Sequence, residues 1–244
     1  MLRYLFILLV SVSILGAEAV EIPTMNFALS APDSPQQLVS SLNVLIVLTL
    51  LFLAPSMVLV MTTFTRFVIV FGFMRQALGT QQVPPTQLLV MIAMVLTFFV
   101  MEPVGTKAYE AGVKPYIEEK IGYEEAFERG TLPFKNFMIR NTREKDLALF
   151  FRIRKMENPQ SIAEVPLSII IPAFVISELK TAFEIGFLLF LPFLVIDMVV
   201  ASILMSMGMM MLPPVMISLP FKILIFVLID GWNLIIGNLI TSIK

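Results

Sequence analysis

The chain has 244 residues, 58% of them hydrophobic, and a net charge of −1. A soluble domain is usually about half apolar, so this composition and the mean hydropathy of +0.91 indicate a membrane protein. The balanced charge gives no indication of a nucleic-acid partner. Cysteine and histidine are absent, which excludes disulfides, thiol nucleophiles, histidine bases and nearly all zinc sites. We therefore expect neither an enzyme nor a cofactor or metal site.

The first residues have the three-part design of a secretory signal peptide. Arg3 supplies the positive charge, residues 4–15 are apolar, and Ala17-Glu18-Ala19 matches the small-x-small cleavage pattern. We predict a cleaved signal peptide over residues 1–19, which places the mature start on the outer face of the membrane, periplasmic in a Gram-negative cell. The alternative is a first transmembrane helix, but the apolar stretch is shorter than the roughly 20 residues needed to span a bilayer.

Two apolar runs follow a polar segment that contains scattered Pro and Ser. The polar segment, 20–41, predicts a linker. The apolar runs, at 42–64 and 88–101, predict a first helical pair over residues 42–104. The connection between the runs carries Arg66 and Arg75 and no acid, which fits a cytoplasmic loop under the positive-inside rule.

Residues 105–164 form a polar block that holds more than half of the charged side chains. After two crossings the chain returns outside, so we expect this block to be external, periplasmic and helical. Residues 141–144 resemble a capping box, and an amphipathic pattern follows them. The block therefore predicts a helical region that faces water.

Apolar sequence returns at 165–177, 185–211 and 223–240, and predicts a second apolar helical hairpin over residues 165–244. Lys222 lies in the last connection without an acid beside it, which again fits an internal loop. The simplest topology has four crossings with both ends outside.

Charges and prolines lie in or beside these later apolar runs, which is unusual for isolated spans. A charge at the centre of a membrane helix costs about 2.5–3.5 kcal/mol, and proline frees backbone groups that lipid cannot satisfy. The prolines are Pro172, Pro192, Pro213, Pro214 and Pro220. We expect these helices to pack against other protein.

Four charged residues predict structural charge pairs. Lys180 and Glu184 are four apart and can pair along one helix. Glu178 needs another partner, and Lys222, in this chain or in a neighbouring subunit, is the candidate. Snorkelling at helix ends is the alternative for Lys222 and Glu184.

Two acids lie in the middle of apolar runs. Asp197 and Asp230 have side chains too short to reach a membrane surface. We therefore predict that both are buried acids with packed polar contacts.

Methionines cluster between positions 205 and 216, where Gly208 and a Pro213-Pro214 pair bracket a triple Met. Methionine is unbranched and deformable, so a ring of such loops could seal an irregular gap and reopen. The alternative is ordinary apolar filler.

Several strings of this sequence, in order, are similar to one family. They lie at 65–70, 75–79, 84–85, 140–150, 174–187, 191–211 and 217–232. From about residue 41 to the last residue the chain resembles the FliP family of the type III secretion export gate. Injectisome relatives share the core motifs but usually lack a cleaved signal, which favours the flagellar branch.

The resemblance implies an all-α subunit of long, proline-broken helical hairpins in a ring-like or helical oligomer. Copies of the chain would join FliQ, FliR and other export-apparatus membrane proteins around a central pore. The complex would lie in the bacterial inner membrane at the flagellar basal body. Unfolded flagellar subunits would be the substrates, driven by the proton-motive force and an ATPase complex. The family's methionine gasket would correspond to Met209, Met210 and Met211, and the helices would lie largely above the bilayer.

Two other functions fit parts of the pattern. A proton-coupled small-solute transporter could use Glu178, Asp197 or Asp230 as a relay. Such folds usually have two related halves, and the sequence shows no such internal repeat. An intramembrane aspartyl protease could use Asp197 and Asp230, but Asp230-Gly231-Trp232 lacks the fuller motif of such enzymes.

Overall fold

The computed structural model describes residues 35–80, 82–156, 161–209 and 212–244. Every regular element in those ranges is helical, so the predicted all-α class is confirmed. The predicted signal peptide at 1–19 lies outside the described residues. Contacts divide the chain into two units, Met1–Leu50 and Leu51–Lys244.

Three helices form the first part of the described chain. They are α1 at Pro35–Val60, α2 at Phe64–Leu78 and α3 at Thr86–Ala108. Helix α2 ends at Gly79, which adopts a left-handed conformation with φ of 78°. Glycine pays no side-chain penalty there, so it stops the helix cleanly.

Helix α3 continues without a stop into the polar block. A π-helical turn at Tyr109–Val113 joins it to the short helix α4 at Lys114–Ile117. Two further helices follow, α5 at Tyr123–Asn141 and α6 at Glu144–Arg154, and then a 3₁₀ turn at Ile162–Glu164. The polar block is thus helical in the residues described.

The predicted capping box at the start of α6 is wrong, although the helix starts where it was expected. The Thr142 hydroxyl donates to the Met138 carbonyl at 2.7 Å, and the Asn141 amide donates to the Phe137 carbonyl at 2.9 Å. Both side chains serve the end of α5, and α6 has no side-chain cap.

Three helices form the last part of the chain: α7 at Leu167–Ser206, α8 at Pro214–Leu228 and α9 at Gly231–Thr241. Helix α7 runs for 40 residues through Pro172 and Pro192 without a break. Gly208 follows the end of this helix, and its φ of 72° lets the Met209 N–H reach the Leu204 carbonyl at 3.0 Å.

Two buried clusters hold the unit Leu51–Lys244 together. In the first, the inner face of α2 packs mainly on α7, with help from α3, α8 and α9. Its core members include Phe67, Val70, Phe71, Met74, Ala182 and Leu239. In the second, α3, α5 and α6 pack on the first half of α7. Its members include Met101, Phe137, Met138, Phe151, Ile169 and Phe174.

Much apolar surface remains uncovered on the last three helices. Leu188, Val227 and Leu228 expose 65%, 68% and 74% of their surface. Such patches mark contacts with lipid or with other protein.

Among the described residues, two helical stretches are long and apolar enough to cross a membrane, Thr86–Ile117 and Leu167–Ser206. The α8–α9 pair, bent by 64°, gives a third if it is counted as one span. The first crossing predicted from the sequence, at 42–64, falls on α1, which includes residues outside that search, so the four-crossing topology stays a prediction.

Candidate functional site

A bidentate ion pair links α2 to α7 inside the unit. Arg66 is 2% exposed and Glu178 is fully buried. The Arg66 Nε donates to Glu178 Oε2 at 2.7 Å, and Nη2 donates to Oε1. Hydrogen bonds of an arginine to a carboxylate are charge-assisted and roughly twice as strong as bonds between neutral groups. The two opposite charges lie between the two apolar clusters. Neither charge is left without a partner.

Arg66 has a further partner at the end of α9. Its Nη1 donates to the Ser242 carbonyl at 3.1 Å and to the Ser242 hydroxyl at 2.8 Å. One guanidinium therefore joins three helices, α2, α7 and α9.

Lys222 makes a second junction. Its ammonium donates to Asp197 Oδ2 at 2.6 Å and to the Ala77 carbonyl at 3.1 Å. The other Asp197 oxygen accepts a hydrogen bond from the Ser218 hydroxyl. This group ties α7 to α8 and to the last turn of α2, whose free carbonyls favour a cation.

The predicted pairing of Glu178 with Lys222 is therefore wrong within the chain. Arg66 takes the role of partner to Glu178, because α2 packs along α7. Asp197 takes the role of partner to Lys222, because α8 folds back on α7. Snorkelling is also wrong for Lys222 in this chain, since only 2% of its side chain is exposed.

The pair predicted along α7 is present but is long. Lys180 Nζ lies 3.8 Å from Glu184 Oε1, and both side chains are well exposed. Arg143 makes the closer contact, from Nη2 to Glu184 Oε2 at 2.6 Å. Exposed pairs of this kind contribute about 0–1 kcal/mol, so this group matters less for stability than the other two.

The two predicted buried acids differ from one another. The Asp197 side chain is 26% exposed and is paired with Lys222. Asp230 is exposed and adopts a left-handed φ of 51° between α8 and α9. For Asp230 the prediction of burial in the chain is wrong, because the helix breaks at that residue and turns its side chain outward. Asp197 is engaged by a lysine, which is not the arrangement of a proton-sharing acid dyad.

The methionine-rich loop connects α7 to α8. Met209 is 37% exposed, and the flanking Met205, Met207 and Met216 expose 59%, 66% and 70%. Met210 and Met211 lie outside the described residues. The loop begins within three turns of Asp197 on α7 and ends one turn before Ser218 on α8, so the Lys222 junction fixes both of its stems.

Comparison with known proteins identifies the family. The model of the FliP family matches residues 47–239. The chain belongs to the FliP family. All members of the two buried junctions except Ser242 lie inside the matched segment. The matched segment therefore contains the α2–α7 and α7–α8 contacts that organise the fold.

Alignments with individual relatives cover most of this chain and most of each relative. The flagellar biosynthetic protein FliP of Bacillus subtilis is 53% identical over 210 residues, which cover 86% of this chain and 95% of the relative. That of Caulobacter vibrioides is 54% identical over 197 residues, covering 81% and 74%. That of Aquifex aeolicus is 49% identical over 207 residues, covering 84% and 87%.

Replacing Lys222 with Met is expected to lower the free energy of unfolding by about 2 kcal/mol, because Asp197 and the Ala77 carbonyl lose their donor. The loss stays below that of a fully buried pair since Asp197 retains access to solvent. Thermal unfolding of the full chain in detergent, followed by circular dichroism, measures it. Lys180→Met is the matched control and should change stability by less than about 0.5 kcal/mol. Equal losses for the two variants would contradict the assignment.

Proposed function

We propose that this FliP-family chain is a pore-forming subunit of the flagellar type III protein export gate. The observation that carries the proposal is the contrast between its charges and its apolar surface. The helices carry buried ion pairs that are satisfied within the chain. The outer faces of α7 and α8 remain apolar and uncovered on both sides of the methionine-rich loop. A surface of that kind is covered by lipid or by other protein, and a subunit of a membrane-embedded oligomer would meet both.

The partners that would cover it are copies of this chain, FliQ, FliR and other export-apparatus membrane proteins. The complex would lie in the bacterial inner membrane at the flagellar basal body, with several helices of each copy inserted. Unfolded flagellar subunits would be its substrates. The names of the relatives, all flagellar biosynthetic proteins, support this context. The role requires no catalysis, in keeping with a structural component of an export apparatus.

A proton-coupled transporter is the alternative, and the contacts of two of its three candidate relay acids argue against it. A relay acid must release and take up a proton during transport. Glu178 accepts two guanidinium bonds, and Asp197 accepts bonds from an ammonium and a hydroxyl. Both carboxylates are thus held by internal donors.

Size and symmetry test the proposal directly. The chain is co-expressed with FliQ and FliR, purified in mild detergent, and examined by native mass spectrometry and by electron microscopy of single particles. A hetero-oligomer containing several copies of the chain around a closed central channel is expected. A monomer or dimer with a substrate pocket between its helices would contradict the proposal and favour the transporter.

The methionine-rich loop is expected to act as the resting seal of that channel. Replacing Met209, Met210 and Met211 together with Ala should raise the resting ion leak severalfold, because the smaller side chains cannot fill the gap between copies. The leak is measured as potassium efflux from liposomes that contain the purified complex.

Met91→Ala provides the matched control for the seal. This methionine on α3 is 63% exposed and lies outside the loop. Its replacement should leave the leak at the level of the parent complex. A triple variant as tight as the parent, with export unchanged, would remove the sealing role.

A further inference from the structure

The segment Ser242–Lys244, which follows α9, lies against two buried side chains from distant parts of the chain. Arg66 donates through Nη1 to the Ser242 carbonyl and hydroxyl. The Asn141 Oδ1 accepts from the Lys244 N–H at 3.1 Å, and its Nδ2 donates to the Lys244 carbonyl at 3.2 Å. The contacts are 176 and 103 residues apart in sequence.

Asn141 is built to hold a peptide backbone. Its amide offers one acceptor and two donors, and the structure uses all three. One donor goes to the Phe137 carbonyl at 2.9 Å and fixes the side chain at the end of α5. The remaining donor and acceptor pair with the carbonyl and the N–H of one residue, Lys244. Asn141 therefore binds backbone atoms of Lys244, and the contact does not depend on the lysine side chain.

Arg66 caps the end of α9. The last carbonyls of a helix have no intrahelical partner, and a cation beside them is favourable. Glu178 holds the guanidinium in place through Nε and Nη2, which leaves Nη1 directed at Ser242. Because the two sets of bonds use different nitrogen atoms, the segment can leave while the Arg66–Glu178 pair stays closed.

Ile243 lies between these two anchors. Its side chain packs against both buried clusters, the one around α2 and the one around α5. Release of the segment would therefore uncover part of each cluster. Segments tied by a few hydrogen bonds and one apolar side chain open locally more readily than a core does.

We propose that Arg66 and Asn141 form an intramolecular binding site for the backbone of Ser242–Lys244. The bound segment is a latch that holds α9 and therefore the bent α8–α9 pair. The latched arrangement is the one in which the chain assembles with its partners. Only the link to assembly rests on the proposed function. The latch itself is a property of the single chain.

A single-cysteine reporter tests the latch in the full chain. The sequence contains no cysteine, so Ile243→Cys introduces a unique thiol. In purified protein in detergent, maleimide labelling of this reporter should be at least tenfold faster when Asn141→Ala is added. Thr241→Ala is the matched control, because within the described part of the chain its hydroxyl bonds only to carbonyls of its own helix. That control should leave the labelling rate unchanged.

A second reporter separates release of the segment from unfolding. Ala173→Cys places a thiol at a fully buried position on α7. With Asn141→Ala, this thiol should stay protected while the thiol at position 243 becomes reactive. An unchanged rate at position 243 would overturn the latch. Equal exposure of both thiols would also overturn it, since Asn141 would then support the whole fold.

Export by the same variants links the latch to assembly. In a host lacking its own copy, the parent chain should support secretion of flagellar subunits, and Asn141→Ala should reduce secretion at least tenfold. A parent that fails to support secretion would count against the proposed function and leave the labelling result standing. Rapid labelling at position 243 with normal secretion would overturn the role of the latch in assembly.

Discussion

Replacing Arg66 with Met is expected to reduce the free energy of unfolding by about 3–5 kcal/mol. The change leaves the fully buried Glu178 carboxylate without its donors, and the cost of an uncompensated buried charge is of this size. The Ser242 carbonyl and hydroxyl also lose their partner. Domains are stable by only about 5–15 kcal/mol, so a large share of the variant should be unfolded or degraded. The amount of folded protein in detergent extracts and its thermal midpoint measure the effect.

A matched control and a double variant identify the cause of that loss. Arg75→Met removes a second arginine of α2, whose Nη1 bonds to the Thr86 hydroxyl at the surface, and should cost less than about 1 kcal/mol. The double variant Arg66→Met with Glu178→Leu removes both charges and should recover a substantial part of the loss. If the double variant were less stable than Arg66→Met alone, the penalty would not come from an unpaired carboxylate.

The sequence indicated which acids needed partners but not which residues would supply them. Arg66 and Lys222 were interpreted as positive charges of internal loops. The structure places both inside, on Glu178 and Asp197, which are 112 and 25 residues away. Periodicity places a residue on one face of its own helix and carries no information about contacts at such separations. With both charges neutralised internally, the positive-inside argument for four crossings loses most of its support.

Helix ends followed local chemistry where the chemistry was unambiguous. Gly208 and the Pro213-Pro214 pair predicted the turn between α7 and α8, and the structure has its break there. Two other patterns misled. Pro172 and Pro192 do not interrupt α7, and Asn141 and Thr142 serve α5 although they resemble the cap of α6. Asn141 and Thr142 bond back to carbonyls four residues earlier, which is a local alternative to capping the next helix that the sequence equally allows.

The exposure of Asp230 illustrates a further limit. An acid within an apolar run predicts burial only if the helix continues through it. Here α8 stops at Leu228, and Asp230 takes a left-handed conformation before α9 begins. Left-handed aspartate is uncommon but tolerated, since its short side chain crowds the backbone little. Nothing in the run from 223 to 240 marks the break except Gly231, which follows it.

Replacing Gly112 with Ala is expected to lower the free energy of unfolding by about 1–3 kcal/mol, because it disturbs the packing of the polar block. Gly112 lies in the π-helical turn, where α3 passes into α4, and faces α5. A Cβ added there would lie 2.7 Å from the Gly130 Cα and 2.8 Å from the Gly130 nitrogen. These are backbone atoms, so no side chain can rotate away to relieve the overlap. The two helices would have to separate.

Gly105→Ala is the matched control, because it lies one turn before the π-helical turn and an added Cβ meets nothing within 4 Å. Alanine favours helix over glycine by about 1 kcal/mol, so this variant should be as stable as the parent or more stable. Thermal unfolding of each full-length variant, with protease cleavage at residues 118–122 as a local readout, compares the two. Faster cleavage in Gly112→Ala alone is the expected result. Similar behaviour of the two variants would mean that the glycine serves helix flexibility, and the close approach of α5 would not be what requires it.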